Sequence, residues 1–329
     1  MTRWLQIDDA SMIGEARRIT RVAAAEAGLA ADAVERAVVV ASEAATNLHR
    51  HAQAGVFACT RALTVELVLL ATDDGPGMEN PERMLQDGVS TGTSLGVGLG
   101  AMKRMSDTFE IWSRPGDGTV TLSTFGRAQR PSGPFDIAGL RLSAPGETAC
   151  GDTFGWRARG GRVQILVCDG FGHGPAAARD ANAVLDFFES AEPADAGGLM
   201  EAICVEPVVE RGAVAMLVEL DPGSEALSAV GVGNISGAIV TRAESRRVIS
   251  REGSIGRRCV SRPEPYPFEP GAALILHSDG VKTFRMDDSR KELLHRSPLM
   301  IAALVLRDGL RGHDDASIVV VRRREGPDE

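Results

Sequence analysis

The sequence predicts a two-domain α+β protein, and three observations carry that prediction. Its 329 residues are about twice the ~150 that one domain usually holds. Residues 126–136, GRAQRPSGPFD, combine Gly, Pro, Ser and Arg without hydrophobic periodicity and separate two regions that each mix helical and strand patterns. No internal repeat relates the two regions, so unlike folds are expected: one domain over residues 1–127, a linker over 128–136 and a second domain over 137–329.

In the first region, residues 8–27 read as an amphipathic helix closed by Gly28, and Asp32 opens a second helix that runs to His51. Along that helix Val34, Val38, Ala41, Ala45 and Leu48 recur at steps of three and four and make one buried stripe. Glu43, Asn47 and His51 fall four apart, so they stack along another face. A β-type run over 63–70 stops at Asp73-Asp74-Gly75-Pro76-Gly77, and a glycine-rich stretch over 90–100 leads into a helix containing Met102 and Met105. A hairpin, FEIWSR and TVTLSTF around Pro115-Gly116-Asp117-Gly118, completes the region.

The second region opens with a strand-like stretch over 136–144, then Cys150-Gly151-Asp152, a buried strand over 163–170 and a helix over 175–190. Further β-type runs lie at 213–220, 226–232, 237–241, 272–280 and 316–323, with a helix at 298–307 between the last two. Many strands and few helices predict sheets covered by helices, with acidic residues at the ends of the apolar strands.

Composition removes several function classes. No apolar run approaches the ~18 residues of a membrane-spanning helix, and the first ten residues lack a secretory pattern, so a cytoplasmic protein without a membrane partner is expected. The five cysteines, Cys59, Cys150, Cys168, Cys204 and Cys259, show no CxxC spacing, which disfavours a zinc ribbon or a disulfide framework and predicts reduced thiols. The net charge is −9, and the longest basic run is Arg322 to Arg324, so nucleic acid is not an expected partner. Lysine occurs only at 103, 282 and 291, never in a GxxxxGK context followed by Ser or Thr, so any nucleotide site must dispense with a P-loop.

Such a site can be assembled from the first region. Asp73 at a strand end can accept a hydrogen bond from an amino group, while Gly75 and Gly77 let a planar ring approach the backbone. Asn47 can offer an amide oxygen to Mg2+ and Glu43 a base for a hydroxyl. Gly96, Gly98 and Gly100 can turn backbone N–H groups toward phosphates at the start of a helix, and the lack of a strong strand directly before Gly96 excludes a Rossmann reading. His49 and His51 point to different sides of their helix and are read as structural.

The three blocks EAATNLHRH (43–51), DDGPGM (73–78) and DGVSTGTSLGVGLGAMKR (87–104) together resemble the boxes of the GHKL ATPase superfamily, in particular the small serine kinases and anti-sigma factors of bacterial partner switching. The resemblance spans about residues 8–126 and implies a Bergerat α/β sandwich that binds ATP. It implies Mg2+ on Asn47, the adenine amino group on Asp73 with Gly75 and Gly77 in its turn, phosphates on Gly96, Gly98 and Gly100, and Glu43 as catalytic base.

The second region carries aspartates in CGDTF, VCDGFGHG, HSDGV and HDDASIVVV. Carboxylates converging from several strand ends repel one another unless divalent cations neutralise them, and oxygen-only ligands select Mg2+ or Mn2+. Two such ions can share a water, lower its pKa and aim it at phosphorus, which points to hydrolysis of a phosphate ester.

Together with PGETACGD, ERGAV and GVGNISG, in order over about residues 137–323, these blocks resemble the metal-dependent PPM phosphatases in their SpoIIE branch. That resemblance implies a PPM-type β-sandwich flanked by helices, with two Mn2+ or Mg2+ ions bridged by the catalytic Asp169, one held by the Gly170 carbonyl, and Asp152, Asp279 and Asp314 completing the set. The family places one ligand in the Asp314-Asp315 pair, and the sequence does not choose between the two. His173 either shapes its turn or meets substrate through the metal water, and Asn234 is read as supporting a turn.

The expected function is therefore two-headed: an ATP- and Mg2+-dependent Ser/Thr kinase and a metal-dependent phosphoserine/phosphothreonine phosphatase, acting on a small STAS-type (anti-anti-sigma-type) protein. Fusion would raise the effective concentration of both activities near one substrate. The alternatives keep the phosphatase and make the first half an ATP sensor, or an anti-sigma module that binds a sigma factor or another regulator. An intact Glu43 favours the kinase.

Overall fold

The computed structural model describes residues 3–52, 55–85, 98–126, 133–257, 259, 262–283 and 288–325. The chain divides into two compact units, Met1–Gln129 and Arg130–Glu329.

The first unit runs β1 (Arg3–Gln6), α1 (Ser11–Glu26), α2 (Ala31–His51), β2 (Gly55–Thr60), β3 (Leu67–Asp73), a 3-10 turn at Arg83–Leu85, α3 (Gly98–Met105), β4 (Thr108–Ser113) and β5 (Thr119–Phe125). The strands form one antiparallel sheet in the order β1-β2-β3-β5-β4. Ala16, Ile19, Ala23 and Ala24 of α1 and Ala37, Val40, Ala41, Ala44, Ala45 and Leu48 of α2 share a core with Phe57, Leu67, Leu69 and Phe125 of the sheet. The alanines let the two helices approach closely. Of the stripe the spacing predicts, Val38, Ala41, Ala45 and Leu48 are buried and Val34 only partly, while the buried face also takes in Ala33, Ala37, Val40 and Ala44.

Two strands lie outside the sequence expectation. β1 is only partly buried and shows no alternation, and β2 follows α2 directly, without a glycine or proline signal in its own run other than Gly55. The run expected over 63–70 begins as a strand only at Leu67.

The second unit runs β6 (Phe135–Leu142), β7 (Asp152–Arg159), β8 (Arg162–Gly170), α4 (Gly174–Ser190), α5 (Ala196–Val205), β9 (Ala213–Leu220), β10 (Ala226–Val232), β11 (Ser236–Val240), β12 (Ser245–Val248), β13 (Ser250–Arg251), β14 (Glu264–Pro267), β15 (Ala273–His277), a 3-10 stretch at Asp288–His295, α6 (Pro298–Gly309) and β16 (Ala316–Arg323). One sheet has the order β13-β10-β9-β8-β7 with β14 also on β10, and the other β12-β11-β15-β16-β6. α4 and α5 pack Ala181, Val184, Phe188, Leu199 and Met200 onto Leu166, Cys168, Ala215 and Leu217 of the first sheet, while α6 lies against β6 and β16 of the second. All eight residues of β9 are buried, which is why AVAMLVEL reads as a continuous apolar run rather than an alternation. The architecture is a β-sandwich flanked by helices, as expected.

β7 and α5 lie outside the expectation: DTFGWRAR lacks a clean alternation, and Gly197-Gly198 in the first turn hides a helix that Asp195 caps by accepting from the Gly198 N–H at 2.8 Å. The cysteine expectation also needs correction. Cys204, on α5, and Cys259 form a disulfide with Cα atoms 5.8 Å apart, whereas Cys59, Cys150 and Cys168 are free thiols. The partners are 55 residues apart, a separation that carries no readable pattern. Among the described residues, no helix is long and apolar enough to cross a membrane.

Candidate functional site

In the first unit, Glu43 and Asn47 project from successive turns of α2, both half-buried, toward the start of α3. A Cβ on Gly98 would stand 3.1 Å from Glu43 Oε2 and 3.6 Å from Asn47 Oδ1, so these two side chains and the first residue of α3 meet at one place. Asn47 Nδ2 lies 3.8 Å from Met102 Sδ. Gly100 is buried two residues further along, and Gly96 lies outside the described residues. His49 and His51 are exposed.

Asp73 ends β3, half-buried, and its Oδ1 accepts a hydrogen bond from the Gly75 N–H at 2.8 Å. Gly77 has φ +67°, and a Cβ there would stand 1.9 Å from the Arg114 carbonyl oxygen. Gly75 has the same constraint on the other side, with His51 O 2.8 Å from its Cβ position. What requires glycine in this turn is the chain's own close approach, to the β4–β5 hairpin and to the end of α2. Asp73 is thereby set beside the helix that carries Glu43 and Asn47.

In the second unit, the β7–β8 register places Asp152 directly opposite Asp169, so both carboxyls leave the sheet on one face. Asp152 is 1% exposed, and its Oδ2 has no hydrogen-bond partner among the described residues. Burial, then the charges of Asp315 and Asp279, push its carboxyl above the usual range, against the hydroxyls of Ser278 and Ser317 that lower it. Burial also raises Asp169, followed by the charges of Asp152, Asp279, Asp314 and Asp315. An orphaned, buried carboxylate oxygen among mutually repelling aspartates fits a divalent cation. Among the described residues no three His, Cys, Asp or Glu side chains close on one point, and the pairwise arrangement suits ions that keep several waters, as Mg2+ does.

Asp279 is exposed, and its Oδ2 accepts from Asn234 Nδ2 at 2.8 Å, so Asn234 holds a carboxylate in addition to its turn. Within the Asp314-Asp315 pair the two residues differ. Asp315 has both oxygens engaged, by the Ala144 N–H and the Gly151 N–H at 2.8 Å each. Asp314 is half-buried and, among the described residues, accepts only from the Asp315 N–H, at 2.9 Å. Close approach again explains the glycines: a Cβ on Gly170 would stand 2.2 Å from Ala177 O, and one on Gly280 1.9 Å from Asp315 O.

His173 caps α4 in extended conformation, exposed, with Nδ1 2.7 Å from Glu147 Oε1. Glu147 was not visible as a site residue in the sequence, nor was Asp180. Asp180 is 3% exposed and accepts from the N–H groups of Glu210, Arg211 and Gly212 at 3.0, 2.7 and 3.1 Å. Burial acts to raise this carboxyl, but the three donors outweigh it and hold it below the usual range. The Gly212 carbonyl in turn accepts from the Phe171 N–H at 3.0 Å, which fastens the 210–212 loop to the turn after Asp169. The one signal in the sequence is an aspartate among the buried Ala177, Ala181 and Val184 of α4.

Comparison with known proteins finds a different family in each unit. Residues 8–124 match the histidine kinase-like ATPase domain family, and residues 159–324 match stage II sporulation protein E (SpoIIE). Over 107 residues the chain is 34% identical to the serine/threonine-protein kinase RsbT of Bacillus subtilis, covering 32% of this chain and 80% of that protein. Over 147 residues it is 24% identical to the phosphoserine phosphatase RsbX of the same organism, covering 43% of this chain and 72% of that protein. The solved PP2C phosphatase domain of SpoIIE from Bacillus subtilis, with a fragment of its regulatory domain, shares the fold at a TM-score of 0.50 and 16% identity, over 79% of this chain and 80% of that one. Asp152 precedes the matched 159–324 segment and joins the aspartate cluster through strand register.

Proposed function

We propose that this chain, which belongs to the SpoIIE family through residues 159–324 and carries a histidine kinase-like ATPase domain over residues 8–124, hydrolyses phosphoserine or phosphothreonine on a small regulatory protein and rephosphorylates it from ATP. The observation that carries the phosphatase half is the facing pair of buried Asp152 and half-buried Asp169, mutually repelling, with Asp279 and Asp314 beside them. In this reading Asp169, the Gly170 carbonyl, Asp152, Asp279 and Asp314 would together hold two Mn2+ or Mg2+ ions, with Asp169 as the shared ligand. The ions, when bound, supply a water of lowered pKa for attack on phosphorus. Asn234 orients Asp279, and Asp315 spends both oxygens tying the connection between β6 and β7 into the site, which leaves Asp314 as the ligand of that pair.

For the first half, Asn47 holds Mg2+, Asp73 with Gly75 and Gly77 takes the adenine, Gly96, Gly98 and Gly100 take the phosphates of ATP, and Glu43 removes the substrate hydroxyl proton. The convergence of Glu43, Asn47 and Gly98 supports this assignment. A protein kinase and a phosphoserine phosphatase as separate relatives of the two halves support one shared substrate, which we take to be STAS-type. A second reading makes the first half an ATP sensor or an anti-sigma module. It is favoured by the half-buried position of Glu43 against α3, where it can brace the helix as readily as accept a proton.

One experiment decides between them. Asp169→Asn protein, with its phosphatase silenced, is incubated with γ-labelled ATP and candidate STAS-type proteins, with Asn47→Ala in the same background as control. Label that accumulates on a partner and vanishes with Asn47→Ala supports the kinase; tight ATP binding without transfer supports the sensor or binding module.

A further inference from the structure

Resting on the phosphatase reading above, we infer that Arg211 is the side chain that grips the substrate's phosphoryl group at the edge of the Asp152–Asp169 cluster. A phosphate monoester must approach a centre lined by five aspartates, so a fixed cation beside the ions would bind its outer oxygens and offset the surrounding negative charge. Arg211 stands at that edge. Its Nη1 is 3.3 Å from where a Cβ on Gly172 would be, three residues after Asp169, so the space a side chain would fill at 172 is next to the guanidinium.

The backbone beneath it is fixed. The Arg211 N–H donates to Asp180 Oδ2 at 2.7 Å, the next N–H donates to the same oxygen at 3.1 Å, and the Gly212 carbonyl holds the Phe171 N–H at 3.0 Å. The β8–β9 register then sets Gly170 opposite Ala213. Arg211 is therefore anchored to both sides of the turn that bears Asp169 and Gly170, the preorganisation that oriented binding of a reacting group requires.

Its guanidinium is also uncommitted. Arg211 is exposed, and among the described residues it has no ion pair and no side-chain hydrogen bond. Neighbouring arginines are engaged: Arg179 pairs with Glu210 at 3.7 Å, and Arg141 Nη1 donates to Asp152 O at 3.3 Å and Thr153 Oγ1 at 3.0 Å. A free guanidinium on a rigid backbone presents the planar fork that matches two phosphate oxygens at once.

The test uses the full chain loaded with Mn2+, p-nitrophenyl phosphate as substrate and inorganic phosphate as the product probe. Arg211→Ala should weaken calorimetrically measured phosphate binding, and raise KM, by about tenfold or more, because a charge-assisted contact is lost. Mn2+ binding should be unchanged in the same variant, since Arg211 holds no ion. Arg211→Lys should recover part of the loss, and Arg179→Ala should behave as wild type. Arg311, whose N–H donates to the Gly280 carbonyl at 3.0 Å next to Asp279, is the rival cation. Phosphate affinity within about twofold of wild type in Arg211→Ala, or a loss produced by Arg311→Ala in its place, would overturn the inference while leaving the phosphatase reading intact. A wild-type chain without Mn2+-dependent hydrolysis overturns the phosphatase reading, and this inference with it.

Discussion

Asp152 and Asp169 face each other across a β-ladder, on strands β7 and β8, and Asp152 Oδ2 has no hydrogen-bond partner among the described residues. A buried and a half-buried carboxyl so placed resist being charged together, and the protein without ions relieves them by holding a proton. Replacing one should therefore separate function from stability. Asp169→Asn should abolish Mn2+-dependent phosphatase activity and raise the melting temperature of the ion-free protein by about 2–4 °C, the shift that ~1 kcal/mol produces in a domain of this size. Retained activity, or a fall in melting temperature without ions, would remove Asp169 from the centre of the site.

Metal affinity should depend on pH with a fixed sign. Both carboxyls are raised above the usual range, so near neutrality the ion must displace protons, and affinity should fall as pH drops from ~8 to ~6. Calorimetry in two buffers of different ionisation enthalpy measures the protons released. No release would mean that the pair is already fully ionised.

Asp180 carries the opposite shift. Its folded-state carboxyl lies below the unfolded value, so its contribution is fully present above the unfolded pKa of about 4 and is lost as pH falls through the folded one. Asp180→Ala strips the acceptor from three backbone N–H groups and should cost about 3 kcal/mol or more, read from denaturant unfolding. Its acid denaturation should also lack the contribution that the wild type loses at low pH.

In the first unit, Asp73→Asn should weaken ATP binding measurably by calorimetry while leaving the fold intact, because the Gly75 N–H can still find an acceptor in the amide oxygen. Gly77→Ala should instead unfold or strongly destabilise the unit, since its φ of +67° and the Arg114 carbonyl leave no space for a methyl group. An unchanged ATP dissociation constant in Asp73→Asn would reject the adenine assignment.

The bridge between Cys204 and Cys259 closes a loop of 55 residues and should stabilise the second unit by about 4 kcal/mol on chain-entropy grounds. Cys204→Ser and Cys259→Ser should lower the melting temperature equally without reductant and lose their difference from wild type with it. A peptide map showing free Cys204 in the oxidised protein would contradict the bridge.

What could be read in the sequence follows from how locally each signal is written. Asp169 and Asp279 announce themselves because the following glycines, Gly170 and Gly280, sit at close crossings of the chain. Helix α2 declared both its buried stripe and the Glu43–Asn47 face through spacing alone. Asp180, Glu147 and Arg211 gave no such signal. The partners of Asp180 are backbone N–H groups about thirty residues away, and backbone donors leave no mark in a sequence. Glu147 meets His173 across 26 residues, and Arg211 matters through a neighbour, Gly172, that has no side chain to read. The difference between Asp314 and Asp315 likewise rests on which of two adjacent carboxylates turns toward Ala144 and Gly151, a matter of strand packing.

The reach of Asp315 has a consequence for synthesis. Its oxygens bind the N–H groups of Ala144 and Gly151, 171 and 164 positions earlier in the chain, and β16, which follows it, is the strand that β6 and β15 both need as their neighbour. On the ribosome, the ATPase-like unit can close while the aspartate centre still lacks its last strand and its last carboxylates. Each nascent molecule therefore passes through an interval in which the ATPase-like unit is shaped and the aspartate centre has not yet formed.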